Sequence, residues 1–98
     1  MSAPKIWVDD LRDPPDSSWL WFKNSHDALA WMESRHASGC GIGTVMSLDH
    51  DLGGDQTTRP LVLWMCENDV WPEEVRVHSM NPVGRLWLEE MIKRYAPR

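Results

Sequence analysis

Short apolar runs, each closed by polar or turn-forming residues, set the rhythm of this chain. Residues 4–8, which carry Ile6-Trp7-Val8, show no helical period and read as a strand. Trp19-Leu20-Trp21-Phe22 reads as a second, Thr44 to Leu48 as a third, and residues 74–78, with Val75-Arg76-Val77, as a fourth. Between the first two lies Arg12-Asp13-Pro14-Pro15-Asp16-Ser17-Ser18. It cannot sustain a helix, because proline fixes φ and pushes the residue before it toward extended backbone. After the second run, Ser25 is the expected N-cap of a helix over about 26–37, with Ala28, Leu29, Trp31 and Met32 on its apolar face. Gly39, Gly41 and Gly43 end it. Pro60 suits the first turn of a second helix, whose Leu61-Val62-Leu63-Trp64-Met65-Cys66 run is apolar nearly all round and predicts burial. Pro72 stops that region. Asn81-Pro82 then pairs an N-cap with a first-turn proline and opens a last helix, with Val83, Leu86, Trp87, Glu90 and Met91 on one stripe.

The order is β-β-α-β-α-β-α. Strands alternating with helices imply parallel β-α-β units, hence an α/β fold with a doubly wound sheet. No repeat, linker or low-complexity stretch divides residues 1–98, so a single domain is expected. The first crossover is unusual, since a proline-rich loop stands where a helix belongs.

Composition narrows the function. A short chain buries a modest share of its surface, and seven tryptophans help offset that deficit. A net charge of -5 gives no drive toward duplex DNA or an anionic membrane. No apolar stretch reaches membrane-spanning length and no signal peptide is recognisable. Cys40 and Cys66 are isolated, which fits reduced thiols and a cytoplasmic location.

Chemistry concentrates where three of the strands end. Ile6-Trp7-Val8 runs into Asp9-Asp10-Leu11-Arg12, Val45-Met46-Ser47-Leu48 into Asp49-His50-Asp51, and Val75-Arg76-Val77 into His78-Ser79-Met80-Asn81. Ligands of open parallel sheets sit beyond the carboxyl ends of the strands. Neighbouring parallel strands would bring these motifs to one metal- or phosphate-handling pocket. Asp9, Asp10, Asp49 and Asp51 offer oxygen ligands for a hard divalent cation, Mg²⁺ or Mn²⁺, or else form solvated acidic loops. His78 suits acid–base work, metal ligation or a structural hydrogen bond. His50 could bind a softer metal or point into the sheet. Arg12 offers a planar fork to phosphate, or an ion pair to Asp10 or Asp13. The amides opening the last helix after Asn81 form an anion site, and Gly84 would permit close approach. Gly53-Gly54 would let its loop bend around a ligand. Trp19 and Trp71 are the tryptophans least tied to the core by pattern, available for edge packing or for stacking a base.

The Asp-Asp pair after the first strand and the aspartate after the third resemble the receiver domain of bacterial response regulators. There, such residues bind Mg²⁺ and the third-strand aspartate is phosphorylated. By matching, these would be Asp9, Asp10 and Asp49. Receivers also carry a lysine after a fifth strand, whereas four strands are read here and Lys93 lies in the last helix. Phosphorelay signalling is therefore disfavoured. A closer resemblance is to the cyclic-phosphate processing receiver domains, which carry Asp-Asp-x-Arg-x-Pro, Leu-Asp-His-Asp-Leu and His-Ser-x-Asn-Pro. The chain has Asp9-Asp10-Leu11-Arg12-Asp13-Pro14, Leu48-Asp49-His50-Asp51-Leu52 and His78-Ser79-Met80-Asn81-Pro82.

The resemblance implies a short receiver-like (flavodoxin-like) three-layer fold with a four-stranded, mostly parallel sheet. It also implies handling of cyclic phosphates on nucleotides or RNA ends. A metal-dependent phosphoesterase is then expected, with Asp9, Asp10, Asp49 and Asp51 toward the cation. His78, Arg12 and Asp49 would be catalytic, and Arg12, Ser79, Asn81 and Gly84 would hold substrate. The alternatives are a nucleotide-sequestering protein or a phage-encoded inhibitor of a host protein using the same acidic pocket.

Overall fold

The computed structural model describes residues 4–97. Strands β1 (Lys5–Val8), β2 (Trp19–Phe22), β3 (Val45–Leu48) and β4 (Glu74–Val77) alternate with helices α1 (Ser25–Ala37), α2 (Arg59–Asn68) and α3 (Pro82–Tyr95) in the order β1-β2-α1-β3-α2-β4-α3. The sheet order is β2-β1-β3-β4, and every pairing is parallel. The α/β receiver-like architecture expected from the sequence is therefore present, and each strand lies within a residue of its expected bounds.

Register explains the core. Ile6 pairs with Met46, and Val8 with Leu48, so alternate positions of β1 and β3 present one row of buried side chains. Onto that row pack Ala28 and Met32 of α1, Leu61, Val62 and Met65 of α2, and Leu88 of α3. All three helices thus lie on one face of the sheet, so it is not doubly wound as the alternation of strands and helices implied. The third layer is not helical. The opposite face carries Trp7, Trp19 and Trp21 beside the 9–18 loop, because Pro14 and Pro15 exclude a helix from the first crossover.

Two local expectations shift. Asn24, not Ser25, caps α1, its side chain accepting from the amide of Asp27 at 2.7 Å. Helix α2 is not buried all round, since Leu63 is 43% exposed while Leu61, Val62 and Met65 face the core. Asn81 caps α3 as expected, accepting from the amides of Val83 and Gly84. Among the described residues, no helix is long and apolar enough to cross a membrane.

Candidate metal centre at the strand ends

The three motif-bearing strands are neighbours, so their carboxyl ends meet. Each ladder runs one step past its strand. The Asp9 amide donates to Phe22 O at 3.1 Å, Asp49 to Val8 O at 2.9 Å and His78 to Leu48 O at 3.0 Å. The backbone thus places Asp9, Asp49 and His78 on the same rim before any side-chain contact is made.

Asp9, Asp10 and Asp49 each offer one carboxylate oxygen within 4.8 Å of the others. Asp9 is buried, with 1% of its surface exposed. Its Oδ1 accepts from the amides of Leu11 and Arg12, both at 2.9 Å, and its Oδ2 from His78 Nε2 at 3.0 Å. Burial pushes the carboxyl upward. The amides of Arg12 and Leu11, with His78, outweigh it and hold Asp9 below the ordinary carboxylate value, so it stays ionised. Two donors fill Oδ1, whereas one donor leaves Oδ2 a lone pair for a cation.

His78 is fixed on three sides. Its ring stacks on Trp7, with centroids 4.0 Å apart and planes 5° from parallel. Its Nδ1 lies 2.7 Å from Ser47 Oγ. An ionised Asp9 only accepts, so Nε2 carries the proton and Nδ1 accepts from the Ser47 hydroxyl. Burial lowers the His78 pKa, Asp9 and Asp49 partly oppose it, and the net direction is down, which favours the neutral ring. Arg12 spends Nη1 on His78 O at 3.0 Å, leaving other N–H groups of its exposed guanidinium to a ligand. The loop that carries these residues is pinned by indoles: Trp21 Nε1 donates to Asp9 O at 2.7 Å and Trp7 Nε1 to Arg12 O at 2.9 Å.

The remaining expected residues form a second cluster beside the first. Asp51 is absent from the carboxylate group. Its Oδ1 faces His50 Nδ1 at 2.9 Å and its Oδ2 accepts from Asn81 Nδ2 at 3.1 Å, with the His50 contact foremost in holding its pKa down. His50 is buried and accepts from Arg59 Nε at 2.9 Å through Nε2. An arginine only donates, so the His50 proton sits on Nδ1 and goes to Asp51. Ser79 is buried and accepts from the Asn81 amide at 3.2 Å. The amides opening α3 are taken up by Asn81 itself. Gly84 makes its close approach to His50: a Cβ there would fall 2.3 Å from His50 Cγ. The structure therefore separates Asp9, Asp10, Asp49, Arg12 and His78 at the rim from Asp51, His50, Ser79, Asn81 and Gly84, which brace the loops behind it.

Sequence reasoning missed Ser47, Trp7, Trp21 and Arg59. Ser47 had a signal, being the one polar residue in an apolar strand; Arg59 had none. Gly53 gains a definite reason, with φ +90° and a hypothetical Cβ 3.1 Å from Asp10 Oδ2. Trp19 packs edge-on to Trp7 with Lys5 over its ring, and the buried Trp71 Nε1 has no hydrogen-bond partner among the described residues.

Fold and rim together define a receiver-like α/β domain with an acidic pocket at its strand ends and a histidine beside it. The chain matches the cyclic-phosphate processing receiver domain over residues 4–94, and it belongs to that family. No curated protein and no solved structure matches the chain.

Proposed function

We propose that this protein is a divalent-cation-dependent phosphoesterase that opens cyclic phosphates on nucleotides or RNA ends. The observation that carries the reading is the convergence of Asp9, Asp10 and Asp49 within 4.8 Å at adjacent strand ends. Three carboxylates so close repel one another, and hard oxygen donors suit Mg²⁺ or Mn²⁺. The free lone pair on Asp9 Oδ2 fits such an ion. When bound, the cation supplies Lewis-acid stabilisation of phosphoryl charge.

The chain's own residues do the rest. Arg12, with N–H groups to spare, holds non-bridging phosphate oxygens in fork geometry. His78 at the pocket rim takes up a proton as the attacking water loses one. From that imidazolium form, beside Asp9 and Asp49, it is the group placed to protonate the departing ribose oxygen and return to the neutral ring. In the neutral resting ring Ser47 donates to Nδ1 and keeps the proton on Nε2. Water attacks phosphorus, the bond to one ribose oxygen breaks, and that oxygen takes a proton, leaving a monoester. A net charge of -5 keeps duplex nucleic acid away while the local cation and Arg12 draw a phosphate. We place this activity in the cytoplasm, where Cys40 and Cys66 stay free.

One observation favours a second reading. Both ring nitrogens of His78 are already engaged, as a pocket built to sequester a nucleotide without turnover would have them. Hydrolysis of 2′,3′-cyclic nucleotides, 3′,5′-cyclic nucleotides and cyclic dinucleotides with Mg²⁺, Mn²⁺ or EDTA separates the two. The enzyme reading expects metal-dependent product that disappears in Asp49→Asn and His78→Ala. Binding by calorimetry without product, retained in His78→Ala, supports sequestration. Neither turnover nor binding overturns both.

A further inference from the structure

Strand β4 is one end of the sheet, and its outer edge is open. The amides of Glu74 and His78 donate inward to Thr44 O and Leu48 O, at 3.0 Å each. Alternation then turns the N–H and C=O of Val75 and Val77 outward, where no strand lies among the described residues. Beside that edge runs a groove of about 350 Å³ between β4 and the C-terminal half of α3, lined by Pro72, Val75, Val77, Glu89, Ile92 and Lys93. An open edge with half-buried valines above a groove of mixed apolar and charged lining is a template for another strand.

We infer that this edge pairs with a second copy of the chain, β4 antiparallel to β4 about a twofold axis through Val75. Charge selects both the occupant and the register. A twofold perpendicular to the sheet keeps inward residues opposite inward residues, so the axis must pass through a residue. Centred on Glu74 it sets glutamate against glutamate, and centred on Arg76 it sets arginine against arginine. Centred on Val77 it sets Arg76 against a histidine already held by Trp7, Ser47 and Asp9, with no ion pair gained. Centred on Val75 it sets Glu74 against the partner's Arg76, and Arg76 against the partner's Glu74. Those residues form a non-hydrogen-bonded pair, the geometry in which opposed side chains come closest. Val75 and the partner's Val75 exchange both backbone hydrogen bonds, which uses the groups the monomer leaves outward. Within one copy, Glu74 and Arg76 already touch each other on the solvent side, half-exposed and free to change partners. The interface is isologous, so it closes as a dimer and yields an eight-stranded sheet instead of a fibre. The same two charges discourage pairing with unrelated strands. Strand β2, the other edge, has no charge within Trp19–Phe22 to choose a register.

The test is sedimentation velocity over about 10 µM to about 1 mM, the range in which so small an interface dissociates. Wild type is expected to rise toward twice the chain mass. Arg76→Glu and Glu74→Arg each set like charges opposite one another twice and should weaken the dimer about thirtyfold. The double swap, Glu74→Arg with Arg76→Glu, restores complementarity and should restore the dimer. Val75→Pro removes an outward N–H that no strand in the monomer uses, so it should leave circular dichroism unchanged and abolish association. A wild type that stays monomeric throughout overturns the proposal. So does a dimer that survives Arg76→Glu or Val75→Pro, or a folded double swap that fails to associate.

Discussion

Replacing Gly84 by alanine tests whether this glycine serves the fold or a ligand. The added Cβ would lie 2.3 Å from Cγ, 2.4 Å from Nδ1 and 2.7 Å from Cδ2 of His50. Carbon contacts settle near 3.5–4.0 Å, so relief demands a retreat of roughly 1 Å. The ring cannot retreat cheaply. Its Nδ1 is tied to Asp51 and its Nε2 to Arg59, both at 2.9 Å, and a 1 Å shift breaks one or both bonds. Overpacking costs about 1–3 kcal/mol and each lost hydrogen bond about 1 kcal/mol. Alanine returns about 1 kcal/mol of helix propensity. The net cost is about 2–3 kcal/mol, or a Tm lower by roughly 10–20 °C for a domain this small. Thermal unfolding followed at a helix-sensitive wavelength reads it directly. The background matters as much as the value: in His50→Ala the clash partner is gone, and Gly84→Ala should become neutral or stabilising by about 1 kcal/mol. Equal destabilisation in both backgrounds, or a wild-type Tm for the single variant, would refute the packing role and return Gly84 to the ligand.

Acidification should destabilise the protein through His78. Its folded pKa lies below the unfolded value of 6.5, so the unfolded chain binds more protons and stability is lost as pH falls through that range. Urea unfolding between about pH 7 and pH 5 checks this, and His78→Gln should flatten the slope; parallel slopes would rule out the assignment. Ser47→Ala should cost about 1–3 kcal/mol and weaken Mn²⁺ affinity at least about tenfold, by leaving Nδ1 of His78 unpaired. Imidazole ¹⁵N shifts should show Nε2 losing its exclusive hold on the proton, and Ser47→Thr should restore it; unchanged shifts would remove Ser47 from the site. Gly53→Ala forces an alanine to φ +90° and a Cβ to 3.1 Å from Asp10 Oδ2, so Mn²⁺ binding and Tm should both fall, and full retention of both would contradict the geometry.

The strands were legible because apolar runs such as Ile6-Trp7-Val8 are short, sharply bounded and without helical period, and the prolines announced where helices start or fail. The convergence of Asp9, Asp49 and His78 was legible for a topological reason: parallel neighbours end at the same rim. What each residue does there was less so. Asp51 is two positions from Asp49 and chemically identical to it, yet the turn that follows β3 hands it to His50 and Asn81. Gly84 read as room for an anion because a sequence marks the need for space and not what fills it. Ser47 was legible as the one polar residue in an apolar strand but was passed over, and Arg59 was hidden by acting across a loop that no local pattern describes. The single helical layer was foreshadowed by Pro14 and Pro15, but only the observed sheet order shows that both later crossovers pass over the same side.

That one-sided packing divides the pocket between two levels of mechanical security. Asp49 and His78 leave strands backed by the helical core, so releasing them means loosening that packing. Arg12 belongs to the 9–18 segment, which lies over the sheet without a helix and is held near the pocket by hydrogen bonds alone, two from indoles, two from its own amides to Asp9 and one from Arg12 to His78 O. Such a segment opens locally at a fraction of the global free energy. Amide exchange at Leu11 and Arg12 should therefore run ahead of exchange in β3, and a bound cation with its phosphate should slow it. If exchange follows that order, ligand entry would need movement of the 9–18 segment alone, with β3 and β4 left in place.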